Sequence, residues 1–228
     1  MSSLNLYLLC FIVPLIIGLA VQSRLRRTFA VNSQKPVASG MSGAEVAREI
    51  LDRNGLQNVA VQPSKAGPLS DHYDPRGQGV FLSEPVFAGR SVAATAVAAH
   101  EVGHAIQHAK AYVPMTLRSA VWPLAAFGSR AWFMLLIAGV VLQFAGLITV
   151  ALIVFGFAVV FQFVTLPVEF NASRRAAAQL ADLGLVTDAE AAGVRQTLTA
   201  AAMTYVAGAL ASVAQLLYFL AIFGGGRD

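Results

Sequence analysis

Residues 132–167 read WFMLLIAGVVLQFAGLITVALIVFGFAVVFQFVTLP, and whether this stretch crosses a membrane once or twice decides the fold. It is too long for one ordinary helical span and slightly short for two straight ones of about 20 residues each. Upstream, the apolar run reaches back to Val113, interrupted by Arg118, Arg130 and Gln143. A single crossing would strand residues 169 onward on the far side from everything before Val113. A double crossing starts near Val121, turns around Gln143-Phe144-Ala145-Gly146 and returns. Arg174, Arg175 and Arg195 beyond it favour the cytoplasm, so the hairpin is the expected reading. Its cost is Arg130, which then sits within a span and needs a polar partner or cavity. Alternatively, residues 113–130 lie as a helix on the membrane surface with Arg130 at the headgroups.

The rest of the chain has the composition of a membrane protein. Of its 228 residues, 57% are hydrophobic and 12% charged, against about 25% charged in soluble domains, and the mean hydropathy is +0.64. A net charge of +4 is weak support for nucleic acid as a partner. The cations flank apolar segments, with no aromatic-basic patch among them. Cys10 is the one cysteine, which excludes a disulfide framework and a cysteine-based metal site.

Leu4–Val21 reads as a first span and a retained anchor, because no charged leader or small-residue cleavage site accompanies it. Arg24, Arg26, Arg27 and Lys35 follow, placing the amino end outside and the next segment in the cytoplasm. Residues 32–41 form a polar linker. Ser42-Gly43-Ala44-Glu45 is a capping box opening an amphipathic helix through Val46, Ile50 and Leu51, which stops at Asn54-Gly55. Val59-Ala60-Val61 and Val80-Phe81-Leu82 are expected strands, the second preceded by turn chemistry at Asp74-Pro75-Arg76-Gly77. An open edge of such a sheet is a place where an extended substrate could add as a strand. A second capping box, Thr187-Asp188-Ala189-Glu190, precedes a last apolar segment, Thr199–Phe223, rich in small residues that suit close packing in lipid. The expected segments are 1–23, 24–112, 113–167, 168–198 and 199–228, with four spans and both ends outside.

The chemistry is concentrated in Ala99-His100-Glu101-Val102-Gly103-His104. Histidines four apart lie one turn apart on the same helix face, so both imidazoles reach one ion. Glu101 then stands beside the metal, placed to take a proton from the water that the metal polarises. With four His in the chain, chance supplies on the order of 0.002 such patterns. The preceding residues 91–98 read as helix with Ser91 as cap, the context this chemistry requires.

A catalytic zinc takes three protein ligands and leaves a position for water. Candidates for the third are His108, Glu169, Glu84, Asp71 and His72. His108 shares the helix face, but three ligands along one straight helix span about 12 Å, too far for one ion. Glu169 follows the returning arm of the hairpin, where it would meet the metal helix; a lone interfacial glutamate is the competing reading. The spacing leaves the choice open.

Four blocks, Gly43-Ala44-Glu45-Val46-Ala47-Arg48, Asp71-His72-Tyr73-Asp74-Pro75, residues 98–107 around the histidine pair and Leu166-Pro167-Val168-Glu169-Phe170-Asn171-Ala172-Ser173-Arg174, resemble the YugP-like family of neutral zinc metallopeptidases of bacterial membranes. The resemblance runs nearly the whole chain in order. More distantly, the pattern resembles the HtpX and CAAX-prenyl-protease class, in which a second-helix glutamate completes the zinc shell. That resemblance implies Glu169 as third ligand. The HtpX-like pattern carries Asp four residues after that glutamate, whereas this chain has Ser173, which puts the outer support of the site in question and leaves Asn171 as a substitute.

The expected protein is therefore mainly α, a polytopic membrane protein of about four transmembrane helices with a small cytoplasmic α+β zincin-like region. It is expected to be a zinc metalloendopeptidase of the bacterial inner membrane, with one Zn2+ per chain held by His100, His104 and Glu169. Glu101 is its expected general base, and His72 and Tyr73 are expected to supply the oxyanion donor. Its partners are protein or peptide substrates near the bilayer, with no nucleic acid. Alternatives are a zinc hydrolase of lipid or lipidated substrates, and a non-catalytic adaptor whose zinc shapes an interface. A metal transporter fits less well, since the His/Glu cluster belongs to the soluble side rather than the midplane.

Overall fold

The apolar stretches fold as long helices. In the computed structural model, which describes residues 3–67 and 69–224, the first comprises α1 (Ser3–Tyr7), a π-helical turn (Leu8–Ile12) and α2 (Val13–Ser33). The others are α6 (Val113–Val141), α7 (Ala145–Asp182) and α8 (Asp188–Phe223). Each of the four is long and apolar enough to cross a membrane. The helices outrun the apolar segments. Residues 24–33 continue α2, and the polar stretch 171–198 forms the ends of α7 and α8 around a short turn. Helix-forming alanines, arginines and glutamines carry the helical backbone past the point where hydropathy ends.

The chain divides into two units. Of the described residues, the first holds 3–22, 116–167 and 204–224, and within it α6 and α7 follow each other across a short turn. The chain turns at Leu142-Gln143-Phe144, with Gln143 in the left-handed region at φ 50°. The Phe144 N–H closes the end of α6 by donating to the Gly139 carbonyl at 2.9 Å. Gly139 allows the two arms to touch, since a Cβ there would lie 2.7 Å from Ile148 Cγ1. Helix α6 passes unbroken from Val113 through Arg130, despite Pro123, so no separate surface helix ends at residue 130. Arg130 borders a cavity of about 230 Å³ with Ser129, Gln162 and Trp122, polar neighbours for a cation in an apolar helix. Trp132 stacks on Phe155 at 4.3 Å and meets Phe219 edge-on, forming an aromatic centre for this unit.

The second unit holds residues 23–115 and 168–203. Its sheet has three strands, β1 (Ala60–Pro63), β2 (His72–Asp74) and β3 (Gly79–Leu82), in the order β1-β3-β2. Strand β3 is central, parallel to β1 and antiparallel to β2. Both edges of Val80-Phe81-Leu82 are therefore taken, and β2, which was not expected as a strand, is an edge. Helices α3 (Gly43–Arg53), α4 (Glu84–Phe87) and α5 (Val92–Ala109) pack with it. Val46, Ile50 and Leu51 of α3 join Val80, Leu82, Val102, Ile106 and Leu180 in one buried core. Both expected capping boxes form: Ser42 Oγ accepts from the Glu45 N–H, and Glu190 Oε2 accepts from the Thr187 N–H. Buried Asn32 joins α2 to α8, its amide donating to the Gly193 carbonyl and to Thr197 Oγ1.

Candidate metal centre

Helix α5 starts at Ser91, whose hydroxyl accepts from the Ala94 N–H, and it buries almost every residue from Val92 to Gln107. The i, i+4 spacing sets the rings of His100 and His104 edge-to-face at 4.8 Å. Helix α7 brings Glu169 against them. Glu169 Oε2 lies 3.3 Å from His100 Nε2 and 3.6 Å from His104 Nε2. These three side chains form a group whose donor atoms all lie within 4.8 Å of one another. A tetrahedral ion with bonds of about 2.0–2.1 Å has its ligand atoms about 3.3–3.4 Å apart, close to the distances from Glu169 to the two imidazoles. Two imidazoles and a carboxylate are also a donor set that zinc takes. The His100 side chain keeps the most exposure of the three, 13% against 8% and 2%; solvent reaches the cluster from its side.

The ring orientations are fixed from behind. His100 Nδ1 meets Ser173 Oγ at 3.2 Å, and His104 Nδ1 meets Gln107 Oε1 at 3.0 Å. Gln107 is itself held, its amide donating to the Val168 carbonyl and to Asn171 Oδ1. Arg175 donates to the same Asn171 oxygen at 2.7 Å. In the tautomer in which each Nδ1–H donates to an oxygen, both Nε2 lone pairs are free to hold an ion together with Glu169. Ser173 stands where the HtpX-like pattern has Asp and makes the ring contact itself, while Asn171 acts one step further out through Gln107. Gln107→Leu is expected to weaken zinc binding by about 10–100-fold, with Ser173→Ala at the low end, measured by chelator competition.

Gly103 sets the approach of the two helices. A Cβ there would lie 2.7 Å from the Ala172 carbonyl oxygen, a backbone atom that cannot swing aside. Gly103→Ala should therefore push α7 off α5 and carry Glu169 with it. The expected cost is about 1–3 kcal/mol of stability, together with a drop in zinc affinity that a surface Gly→Ala change would not cause. Thermal melting and zinc competition measure the two effects.

Glu101 is buried on the same helix. Burial pushes its carboxyl up to about 7, with the Glu169 charge adding to the rise, while His100 and the Tyr73 N–H, which donates to it, pull the other way. Strand β2 thus reaches the site through its backbone. The Tyr73 phenol lies 2.8 Å from His108 Nδ1, and the exposed His72 ring stacks on Phe81 at 5.0 Å with Nδ1 at 2.8 Å from the Ser70 carbonyl. Neither side chain, nor His108, Asp71 or Glu84, belongs to the three-residue donor group. Asp71 instead accepts from the Ser83 N–H and hydroxyl, and burial raises its carboxyl above the ordinary range. Gln107 and Gly103 were not singled out from sequence. A glutamine one turn after His104 in an apolar helix was the available signal for the first; a glycine between the metal histidines was the signal for the second.

A family profile described as "Putative neutral zinc metallopeptidase" matches residues 7–224. The chain is 45% identical over 223 residues to "Putative membrane protease YugP" of Bacillus subtilis (strain 168), covering 98% of this chain and 99% of that protein. No solved structure gives a significant match. With two imidazoles and a carboxylate converging on one point and both matches running nearly end to end, the chain belongs to this family of neutral zinc metallopeptidases.

Proposed function

We propose that this protein is a membrane-embedded zinc endopeptidase with one zinc per chain, held by His100, His104 and Glu169. The convergence of those three side chains, 3.3 and 3.6 Å apart across the α5–α7 contact, is the observation that carries the reading. When bound, zinc supplies Lewis-acid polarisation of water and of a peptide carbonyl. The Glu101 carboxylate, held by the Tyr73 N–H, accepts the proton of the attacking water and returns it to the departing amine. Its pKa near 7 suits both transfers at neutral pH. Ser173 and Gln107 keep the imidazoles in one tautomer throughout, and Asn171 and Arg175 keep Gln107 in place.

The substrates are membrane or membrane-proximal proteins. Four helices long and apolar enough to cross a membrane support that reading. The arginines at 24, 26 and 27, directly after the first apolar segment, favour a catalytic unit on the cytoplasmic face of the bacterial inner membrane. The relative's description as a membrane protease supports a place at a membrane. The test is to reconstitute the zinc-loaded protein with a membrane protein bearing a cytoplasmic tail, and with phospholipid and lipidated peptide as separate substrates. Cleavage of peptide bonds in the tail, lost on chelation, is expected. Release of fatty acid or of the lipid group, with the polypeptide intact, would overturn the reading.

A further inference from the structure

Beyond the zinc site, the structure points to a second ligand site, and we propose that the groove between α2 and α8 binds the phosphate of an anionic phospholipid. The groove has a volume of about 570 Å³ and is lined by Arg24, Thr28, Arg195, Gln196 and Thr199, with Ala192, Ala200 and Met203 completing the wall. Two guanidinium groups and three neutral donors face one space that no carboxylate lines. Among the described residues, neither arginine is in a salt bridge with an acid. Guanidinium forks match phosphate oxygens in pairs, and hydroxyl and amide donors serve the remaining ones.

The position fits a lipid better than a free ion. Arg24 comes two residues after Gln22, where the first apolar segment ends, and Arg195 precedes the last, Thr199–Phe223. Both cations therefore stand where their helices leave the apolar region, the level at which headgroups are expected, and Met203 adds an apolar side chain to the lining. The walls are fixed before binding. Asn32, one turn beyond Thr28, joins Gly193 and Thr197, and Lys35 Nζ holds Asn32 Oδ1 at 2.9 Å. Arg26 and Arg27 carry the same charge nearby and lie outside the groove lining, which supplies a matched control.

The experiment is native mass spectrometry of the full-length protein in detergent, titrated with phosphatidylglycerol, with phosphatidylcholine, and with phosphatidylglycerol plus 10 mM inorganic phosphate. Expected is one tightly held phosphatidylglycerol, at least tenfold preferred over phosphatidylcholine and retained in phosphate. R24A/R195A should weaken it tenfold or more, R24K/R195K should recover only the part that charge alone supplies, binding between the wild type and R24A/R195A, and R26A/R27A should leave it within twofold. Unchanged thermal melting and zinc content in R24A/R195A would exclude a folding loss. Should that variant misfold, R24K/R195K against R24Q/R195Q gives the same comparison. Equal losses in R24A/R195A and R26A/R27A would reduce the effect to diffuse surface charge and overturn the site. Displacement by phosphate would make it a free-anion site and overturn the lipid assignment.

Discussion

Glu101→Gln is expected to lower peptide hydrolysis by roughly 10²–10⁴-fold while zinc content stays at the wild-type level. The amide keeps the size of the side chain and accepts the Tyr73 N–H bond, but it cannot take a proton from water. Retained hydrolysis in this variant would remove Glu101 from the mechanism. The same substitution has a signature in stability. The folded carboxyl titrates near 7, above the range of about 4.3 for an unfolded glutamate. The folded protein therefore holds its proton more tightly than the unfolded chain. Ionisation costs nothing below the unfolded pKa, and the cost grows as pH rises toward 7 and then levels off at a few kcal/mol. Metal-free Glu101→Gln should thus melt higher than the metal-free wild type at pH 8 and at the same temperature at pH 4. A gain at acid pH instead would mean that the burial of Glu101 is not what raises its pKa.

Glu169→Ala should reduce zinc affinity by more than the 10–100-fold that loss of an outer partner costs. The side chain is 2% exposed, so truncation also leaves a cavity. Glu169→Gln separates the two effects, because it preserves the volume and replaces a strong anionic ligand with a weak neutral one. Both variants should therefore lose metal, and the glutamine variant should keep more of the metal-free melting temperature. Full zinc occupancy by elemental analysis in both would mean that His108 or an acid near residue 71 completes the shell.

The parts of the molecule written in local chemistry were legible in the sequence. Ser42-Gly43-Ala44-Glu45 and Thr187-Asp188-Ala189-Glu190 each specify a helix start by themselves, and both form. The helical hairpin was legible because an apolar stretch too long for one span carries turn-compatible residues at Gln143-Phe144-Ala145-Gly146, where α6 gives way to α7. The zinc motif was legible because four-residue spacing on a helix is geometry. Distant pairings were not. Strand β2 owes its structure to β3, with Tyr73 opposite Val80, and three residues beside an Asp-Pro turn carry no strand signal of their own. Where the helices end was not legible for another reason: hydropathy marks where an apolar segment ends, whereas α7 continues through Pro167 to Asp182. The outer support of the proposed zinc ligands crosses from α5 to α7, and Ser173 meets His100 because Gly103 lets the two helices touch.

The most direct test of the account is zinc-edge X-ray absorption on the zinc-loaded, purified protein. The predicted spectrum shows one zinc per chain with four nitrogen or oxygen neighbours at about 2.0–2.1 Å, two of them carrying the outer scattering of imidazole. In Glu169→Gln the bound metal should fall below stoichiometry. A shell with one or three imidazoles, or an unchanged spectrum at full occupancy in Glu169→Gln, would contradict the assignment of His100, His104 and Glu169 as the metal centre.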